Sequence, residues 1–254
     1  MNTQNSDKVD YGNWVSKKFI YVPGLIAIVF LGLAFLSLWW LLPAVLLLMV
    51  SAYFVYARYL FSPQGSDIQK QIRDLVLANL DWDGNGQALD IGCGNGALVV
   101  GLACKYRQAQ VNGIDFWGKN WEYSQAVCER NAGIEGVAEH CTFQKASASQ
   151  LPFPDETFDT VISNLTFHEV SDTADKLKLI QEALRVAKKG GKFVFQDLFL
   201  LKPAYGDIAN VLKAVQSWGV KRVSFLETRN SAFIPKALKL PFMVGTLGMI
   251  VGEK

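Results

Sequence analysis

The sequence predicts an α/β domain that is preceded by a pair of membrane-spanning helices. From residue 67 onward, short apolar runs alternate with segments of helical periodicity, which is typical of sheets covered by helices. One strand-to-helix junction is rich in glycine, and the stretch 19–61 contains a single charged residue, Arg58. These observations divide the chain into a polar tail at 1–18, a transmembrane helical hairpin at 19–61 and an α/β domain at 62–254.

Charge and cysteine usage argue against two classes of ligand. The 254-residue chain has a net charge of +2, which residues 1–61 carry, so the remainder is neutral. A neutral domain has no electrostatic attraction for nucleic acid, and no nucleic-acid partner is expected. No paired spacing relates the cysteines, which predicts free thiols and no metal site. They are Cys93, Cys104, Cys128 and Cys141.

The nearly uncharged stretch is about twice the roughly 20 residues that one helical membrane crossing needs. Trp39, Trp40 and Pro43 interrupt it, with indoles suited to a membrane interface and a proline suited to a helix start. Two spans are therefore predicted, at about 20–40 and about 43–61. One long bent helix, or a hairpin that enters only part of one leaflet, is the alternative, because a sequence does not measure depth.

Basic residues flank the predicted spans on one side only. Lys17 and Lys18 precede the first span, Arg58 lies near the end of the second, and the turn between them has no basic residue. Because basic residues stay on the cytoplasmic side of a membrane, both ends of the hairpin and the α/β domain are predicted to be cytoplasmic.

The glycine-rich junction predicts a ligand site. The apolar run Ala88–Ile91 is predicted as a short buried strand, and a helix is predicted from Ala97 onward. Between them, Gly92, Gly94 and Gly96 let the backbone approach a ligand, and the helix N terminus offers unpaired N–H groups. A strand, a glycine turn and a helix in this order are typical of a nucleotide-binding crevice.

Two acidic residues lie where strands of this crevice end. Asp90 would repel a pyrophosphate but would suit an ammonium group. The second predicted strand, Gln110–Ile114, ends at Asp115, about 20 residues past the glycines, where a carboxylate can accept hydrogen bonds from both ribose hydroxyls. Phe116 and Trp117 follow, and either an adenine-stacking role or ordinary packing is open for them.

Two stretches resemble one enzyme family. Leu89-Asp90-Ile91-Gly92-Cys93-Gly94-Asn95-Gly96 is similar to motif I of class I S-adenosylmethionine (SAM) methyltransferases of the type 11/25 kind. The stretch 147–159 resembles that family's Asp-Ala-x-x-Leu-Pro-Phe-x-x-x-x-Phe-Asp pattern, with Ser147 in place of the acidic residue. The resemblance covers about residues 67–254 and implies a doubly wound, seven-stranded Rossmann-like sheet with an antiparallel last strand.

The resemblance implies SAM as cofactor and S-adenosylhomocysteine as product. Its methionine end would lie at the glycine loop, its ribose at Asp115 and its adenine at Ser147-Ala148, where a hydroxyl accepts without charge assistance. Asn164 would meet the methionine end from the loop after the fourth strand. The predicted cofactor-binding set is Asp90, Gly92, Cys93, Gly94, Gly96, Asp115, Phe116, Ser147, Ala148 and Asn164.

The same loop borders the acceptor in the resembling family. His168 is predicted as a general base for an oxygen, sulfur or nitrogen acceptor, with Glu169 as a weaker candidate. The alternative is a histidine that holds the loop through Glu169 or the backbone. Asp197, at the end of the fifth predicted strand, points toward the acceptor side.

The C-terminal part of the chain continues the alternation. Helices are predicted at 120–131, from a Ser171-Asp172 cap to Lys188-Lys189-Gly190-Gly191, and at 204–218. Strands are predicted at 192–198, 220–226 and 242–252. The apolar loop 227–241, with interleaved lysines, is expected to wall the acceptor site or touch lipid headgroups, with packing under the sheet as the alternative.

Membrane attachment would concentrate lipid-phase substrates at the site. The sequence therefore predicts methyl transfer to a hydrophobic or membrane-associated small acceptor, such as a lipid headgroup, a quinone or an isoprenoid. Two alternatives are open: a methyltransferase of a cytosolic small molecule that uses the hairpin only as an anchor, and a SAM-binding membrane protein without turnover. The sequence does not indicate whether the protein is a monomer or an oligomer.

Overall fold

The computed structural model describes residues 8–118 and 122–254. These residues fall into two compact units. One unit contains residues 13–72. The other joins residues 73–254 with the N-terminal tail, a name used here for residues 8–12.

The smaller unit is built on two antiparallel helices, α1 (Lys18–Leu33) and α2 (Leu41–Phe61). The ring of Phe19 stacks on that of Phe54 with centroids 5.1 Å apart, and Phe30 stacks on Trp40 at 5.4 Å. Between these contacts, Ser51 Oγ donates to the Ile20 carbonyl at 3.0 Å. The start of α1 therefore packs near the end of α2, as a helical hairpin requires.

The lengths of the two helices differ in a way that bears on membrane crossing. Within the described residues, Leu38–Phe61 is the one helical segment long and apolar enough to cross a membrane. Helix α1 has 16 residues, which is about 24 Å against a hydrocarbon thickness of about 30 Å. The predicted pair of full spans is therefore not supported, because the turn occupies residues 34–37, which the prediction assigns to the first span.

The hairpin nevertheless exposes much apolar surface. Leu25 and Ile28 on α1 and Leu42 and Leu46 on α2 are each more than half exposed. An apolar face of this extent is unusual on a soluble monomer and is typical of surfaces that meet lipid or protein.

The larger unit contains a seven-stranded sheet in the order β3-β2-β1-β4-β5-β7-β6. Strands β1 to β5 are parallel where they pair, and β7 is antiparallel to both neighbours. The seven-stranded mixed sheet with its antiparallel last strand is confirmed. The strands are β1 (Gln87–Ile91), β2 (Gln110–Asp115), β3 (Cys141–Lys145), β4 (Phe158–Asn164), β5 (Ala187–Asp197), β6 (Arg222–Leu226) and β7 (Gly248–Glu253).

Two buried apolar clusters pack this unit. One contains residues of α6 and α8, and the other contains residues of α4 and α5. Because β1 lies between β2 and β4, the direction of winding reverses beside β1, which is where ligands bind in such sheets. The remaining helices are α3 (Ile68–Ala78), α4 (Ala97–Lys105), α5 (Gln125–Ile134), α6 (Lys176–Val186), α7 (Lys202–Tyr205) and α8 (Ile208–Ser217).

The cap predicted at Ser171-Asp172 is wrong. Helix α6 begins after Asp175, whose side chain accepts from the Leu177 N–H at 3.1 Å. The helix ends at Val186, because Ala187 is extended and opens β5. The segment predicted as the helix end, 188–191, is instead part of that strand.

Four further boundaries differ from the prediction. Gly206, with φ of 69°, divides the predicted helix 204–218 into α7 and α8, and Asp207 caps the second by accepting from Ala209 N at 2.8 Å. Helix α5 begins after Ser124; positions 120 and 121 of the predicted helix lie outside the described residues. Strands β6 and β7 begin at Arg222 and Gly248 rather than at 220 and 242.

Candidate cofactor and acceptor site

The loops after β1 and β4 meet at the carboxyl edge of the sheet. Thr166 Oγ1 donates to the Ile91 carbonyl at 3.0 Å. Gly92 has φ of 77°, and a Cβ there would lie 2.0 Å from Thr166 Oγ1. Only glycine suits that position, for both reasons. Thr166 has no part in the sequence prediction, and it joins the two loops that line the crevice.

The glycine loop has the predicted strand, turn and helix arrangement. Gly94 and Gly96 have φ of 57° and 81°, and Gly96 directly precedes α4. The N–H groups of Gly92 and Cys93 both donate to the Ile114 carbonyl, at 2.8 and 2.9 Å, which ties the loop to the end of β2.

Asp90 is a buried residue near the end of β1, directly before the last residue of that strand. It is 1% exposed, and its Oδ1 atom has no hydrogen-bond partner within the described part of the chain. Burial, and then the charge of Asp115, raise the pKa of Asp90 to about 8. A buried oxygen without a donor is costly, and an ammonium group would satisfy it. The site therefore fits the amino end of a ligand such as SAM.

Asp115 lies at the tip of β2 and contacts the glycine loop. Its Oδ2 accepts from Gly94 N at 2.9 Å and its Oδ1 accepts from Trp117 N at 2.7 Å. Burial raises the pKa of Asp115, and the backbone N–H groups of Trp117, Gly94 and Phe116 oppose that shift. Each carboxylate oxygen keeps a further lone pair, so the ribose role predicted for Asp115 fits the geometry.

The two aromatic residues after Asp115 differ in their surroundings. Trp117 Nε1 donates to the Gly94 carbonyl at 2.9 Å, so this indole supports the loop. The ring of Phe116 is 62% exposed, with Lys145 Nζ 5.0 Å from its centroid. Phe116 is therefore the residue of the pair that an adenine base can reach.

Cys93 belongs to the glycine loop, and its thiol contacts Cys128. Cys93 is buried, and burial, followed by its contact with Cys128, raises the pKa of its thiol well above the ordinary value. Cys128 Sγ in turn donates to the Gly94 carbonyl at 3.2 Å. A protonated, buried thiol is an unreactive packing group. The Cys93 side chain therefore contributes packing beside the glycine loop.

Ser147 has an acidic neighbour that the sequence pattern did not indicate. The Ser147 and Ser149 hydroxyls donate to Asp172 Oδ2 at 2.7 and 2.6 Å, and these bonds lower the pKa of Asp172. Ala148 between them is buried. The loop after β4 thus brings a carboxylate to the place where the family pattern has one in the loop after β3.

The acceptor side of the crevice contains a histidine–aspartate pair. His168 Nδ1 lies 2.6 Å from Asp197 Oδ1, and Asp197 is fully buried. Asp197 also accepts from the N–H groups of Phe167 at 2.8 Å and Leu198 at 2.6 Å. Because Asp197 acts as the hydrogen-bond acceptor in this pair, the proton between the two side chains is assigned to Nδ1 of His168. Nε2 of the ring faces Glu169, with Oε1 at 3.3 Å.

Burial lowers the pKa of His168, but the carboxylates of Asp197 and Glu169 outweigh it and raise the pKa to about 10. The imidazole is therefore charged at neutral pH in the ligand-free protein. Proton abstraction needs the neutral ring, so the charged state bears directly on the predicted base role.

Asn164 lies at the end of β4, and its side chain is held by the neighbouring strand. Gln196 Nε2 donates to Asn164 Oδ1 at 2.8 Å. The next residue, Leu165, has φ of 55°, and its N–H donates to the Gln196 carbonyl at 2.7 Å. The strand therefore turns sharply at the crevice, which leaves the Asn164 backbone at the floor.

The chain combines a sheet of this order, a glycine loop after β1 and an acidic tip on β2, which is typical of open α/β sheets that bind a nucleotide-containing ligand beside the reversal of winding. Residues 89–195 match the family described as "Methyltransferase domain". Over this segment, which is less than half of the chain, the chain is similar to methyltransferase domains.

Named relatives transfer methyl groups to different atoms. The chain is 31% identical over 134 residues to 27-O-demethylrifamycin SV methyltransferase of Amycolatopsis mediterranei, covering 53% of this chain and 46% of that protein. It is 33% identical over 125 residues to a ubiquinone/menaquinone biosynthesis C-methyltransferase of Desulfotalea psychrophila, covering 49% and 46%. The chain spans about half the length of the curated relatives it matches.

Among solved structures, geranyl diphosphate methyltransferase with GPP and sinefungin aligns with a TM-score of 0.54 and 16% identity, over 74% of this chain and 79% of that one. At this identity the likeness concerns the fold. The named relatives differ in their acceptors, so the similarity does not define an acceptor for this chain.

Proposed function

We propose that this protein transfers a methyl group from SAM to a small acceptor and releases S-adenosylhomocysteine. The observation that carries the proposal is the pair of carboxyl groups at the glycine loop. Asp90 has a buried oxygen without a donor, and Asp115 presents lone pairs at the loop edge. The ammonium group and the two ribose hydroxyls of SAM are donors that suit these acceptors.

The chain's own residues would position the cofactor rather than activate it, because a sulfonium methyl group is already a strong electrophile. The glycine loop would hold the methionine end, Phe116 the adenine face, and Asn164 the floor beneath the methyl group. Ser147 and Ala148 would border the adenine edge, where Asp172 contributes the charge that position 147 lacks.

We propose that His168 and Glu169 face the acceptor, with His168 in its charged form. The Asp197 pairing and the raised pKa both favour an imidazolium, whose Nε2–H faces Glu169 Oε1 at 3.3 Å and would reach an acceptor once the half-exposed Glu169 side chain moves aside. Such a group binds an acceptor that carries or develops negative charge, for example a phenolate or a carboxylate. The competing role for His168 is that of a general base, which requires the neutral ring. The charged and the neutral role predict opposite pH profiles.

We further propose that the helical hairpin attaches the protein to a membrane with the methyltransferase domain on the cytoplasmic side. The exposed apolar faces of α1 and α2 and the basic residues that flank them support attachment. The short α1 favours a hairpin that enters the bilayer incompletely. Attachment supports a hydrophobic acceptor such as a quinone, an isoprenoid or a lipid headgroup.

A single incubation separates the candidate functions. The detergent-solubilised full chain is mixed with methyl-labelled SAM and a membrane extract, and the label is followed after phase partition. Label in the organic phase supports a hydrophobic acceptor, and label in the aqueous pool supports a cytosolic one. Binding of SAM by calorimetry without any transfer supports a SAM-binding protein, and absence of binding overturns the whole proposal.

A further inference from the structure

The backbone of the N-terminal tail is bound by a buried asparagine of the methyltransferase domain. Asn131, on α5, is completely buried. Its Oδ1 accepts from the Asp10 N–H at 2.9 Å, and its Nδ2 donates to the Asp10 carbonyl at 2.9 Å. One side-chain amide thus pairs with both polar groups of one residue, as a neighbouring strand would.

The same amide reaches the glycine loop. Asn131 Nδ2 also donates to the Asn95 carbonyl at 3.0 Å, and Asn95 lies between Gly94 and Gly96. The Asn95 side chain returns to the tail, because its Nδ2 donates to the Asp10 carbonyl at 3.1 Å. Its Oδ1 accepts from Ser124 N at 3.1 Å. Tail, loop and α5 therefore form one hydrogen-bonded group.

The next two residues of the tail have equally specific surroundings. Tyr11 packs against the apolar cluster that contains α4, and the guanidinium of Arg73 lies 5.6 Å from its ring centroid. Gly12 has φ of 71°, and a Cβ there would lie 2.5 Å from the ring of Tyr123. The ring of Tyr123 also lies beside Gly94, at 3.6 Å from a Cβ built there.

We infer that residues 10–12 are part of the cofactor site and that Asn95 and Asn131 are positioning residues for it. The inference rests on the proposed use of the glycine loop to bind SAM. Because Gly94 N holds Asp115 Oδ2 at 2.9 Å, a loop released from the tail would also misplace the ribose acceptor. Loss of the tail should therefore weaken SAM and S-adenosylhomocysteine together, by about tenfold.

The position of the tail in the chain has a second consequence. The tail precedes α1, and the domain that it contacts follows α2. Contact between them requires both to lie on one side of any membrane. The intervening helices can then cross a bilayer only an even number of times, or not at all, so a single crossing by α2 is excluded. Tags at the two ends should show the same protease accessibility in sealed vesicles.

The test compares four variants of the full chain in detergent. Asn131→Ala and a deletion of residues 2–12 remove the contact; Asn210→Ala, an exposed asparagine on α8, and a deletion of residues 2–7 are the matched controls. Calorimetry measures the Kd for S-adenosylhomocysteine, and hydrogen exchange measures the amides of residues 92–96. The first pair should raise Kd about tenfold and speed exchange in the loop, and the controls should do neither.

Each outcome decides one proposal. An unchanged Kd in both contact-removing variants, with tight binding by the parent, overturns the inference and leaves the proposed function standing. If the parent protein does not bind S-adenosylhomocysteine, the proposed function is overturned. The exchange rates of residues 92–96 in the variants then test only whether the tail holds the loop. If Asn131→Ala does not fold by circular dichroism, the deletion of residues 2–12 decides.

Discussion

The two ends of the crevice each contain a buried aspartate, but the two carboxyl groups differ in what surrounds them. At the cofactor end, Asp90 has an oxygen without a donor within the described residues. At the acceptor end, Asp197 accepts from three backbone N–H groups and from the His168 side chain. The first has hydrogen-bonding capacity left for a ligand, whereas the second uses its capacity inside the protein and presents an imidazole instead.

This difference predicts two kinds of defect. Substitutions at Asp90 or Asp115 should lower the affinity for SAM, because a bound ligand would donate hydrogen bonds to these carboxyl groups. Changes at His168 or Asp197 should act on turnover with little effect on SAM affinity, because their ligand is the acceptor. If substitutions at both ends of the crevice changed the same quantity, either the affinity for SAM or the turnover, the two ends would not differ in function.

The largest effect is expected from His168→Asn. Loss of a group that acts on the acceptor in the transition state typically costs 10²- to 10⁴-fold in rate, and kcat should fall by about that factor with Kd for SAM unchanged. His140→Asn, at the other histidine, is the matched control and should leave kcat within about twofold. The measurement is initial-rate kinetics with the acceptor found by partition, and a near-normal kcat for His168→Asn would retire the role.

The pH profile of the parent distinguishes the two roles of His168. A charged imidazole acts below its pKa of about 10, so kcat/KM should be level near neutrality and fall as pH approaches 10. A neutral base would give the opposite profile, with rates that rise over the same range. His168→Asn should lack either feature.

Asp115→Ala should have the next largest effect. It removes the acceptor of two ribose hydroxyls and the partner of Gly94 N, and we expect a loss of about 2–3 kcal/mol in SAM binding, or roughly 30- to 150-fold in Kd. Asp83→Ala is the control, since Asp83 is an exposed loop residue that precedes β1. Calorimetry measures both, and equal affinities for the two variants would reject the ribose assignment.

The His168–Asp197 pair should also contribute to stability in a pH-dependent manner. The pKa of His168 in the folded protein is about 10, above its ordinary value of 6.5. The contribution is therefore complete below about pH 6.5 and is lost as pH rises through 10, by about 2 kcal/mol after allowance for screening. Urea unfolding of the parent and of His168→Asn at pH 6 and pH 10 measures it. The difference between the two proteins should shrink at the higher pH, and a constant difference would contradict the pairing.

The neighbours of Asp90 and Asp115 could be foreseen from the sequence, whereas the partner of His168 could not, and the reason is sequence distance. Asp90 and the glycines form one contiguous stretch, and Asp115 follows on the adjacent strand. The pairing of His168 with Asp197 depends on the register of β4 and β5, which no local pattern contains. The contact between Asp10 and Asn131 joins residues 121 positions apart, and nothing in either neighbourhood indicates it.

Helix boundaries were predicted less well for a related reason. Asp172 and Asp175 are equally suitable caps by residue type, and the structure uses Asp172 to accept from two serine hydroxyls instead. In the hairpin, the sequence predicted two helices and a turn but placed the turn too late, because residues 34–37 are followed by residues as apolar as those that precede them. Composition therefore overestimated the length of α1.

The smallest effect in affinity, and the most specific test of the cofactor end, concerns the proton on Asp90. With a pKa of about 8 the carboxyl group is mostly protonated at pH 7, and an ammonium group placed beside it favours ionisation. Binding of SAM at pH 7 should therefore release close to one proton, measured by calorimetry in buffers of different ionisation enthalpy. Asp90→Asn should weaken SAM by only about tenfold but abolish the release. Release that persists in Asp90→Asn would mean that the unpartnered oxygen does not receive the ammonium group, and the contrast between the two aspartates would lose its basis.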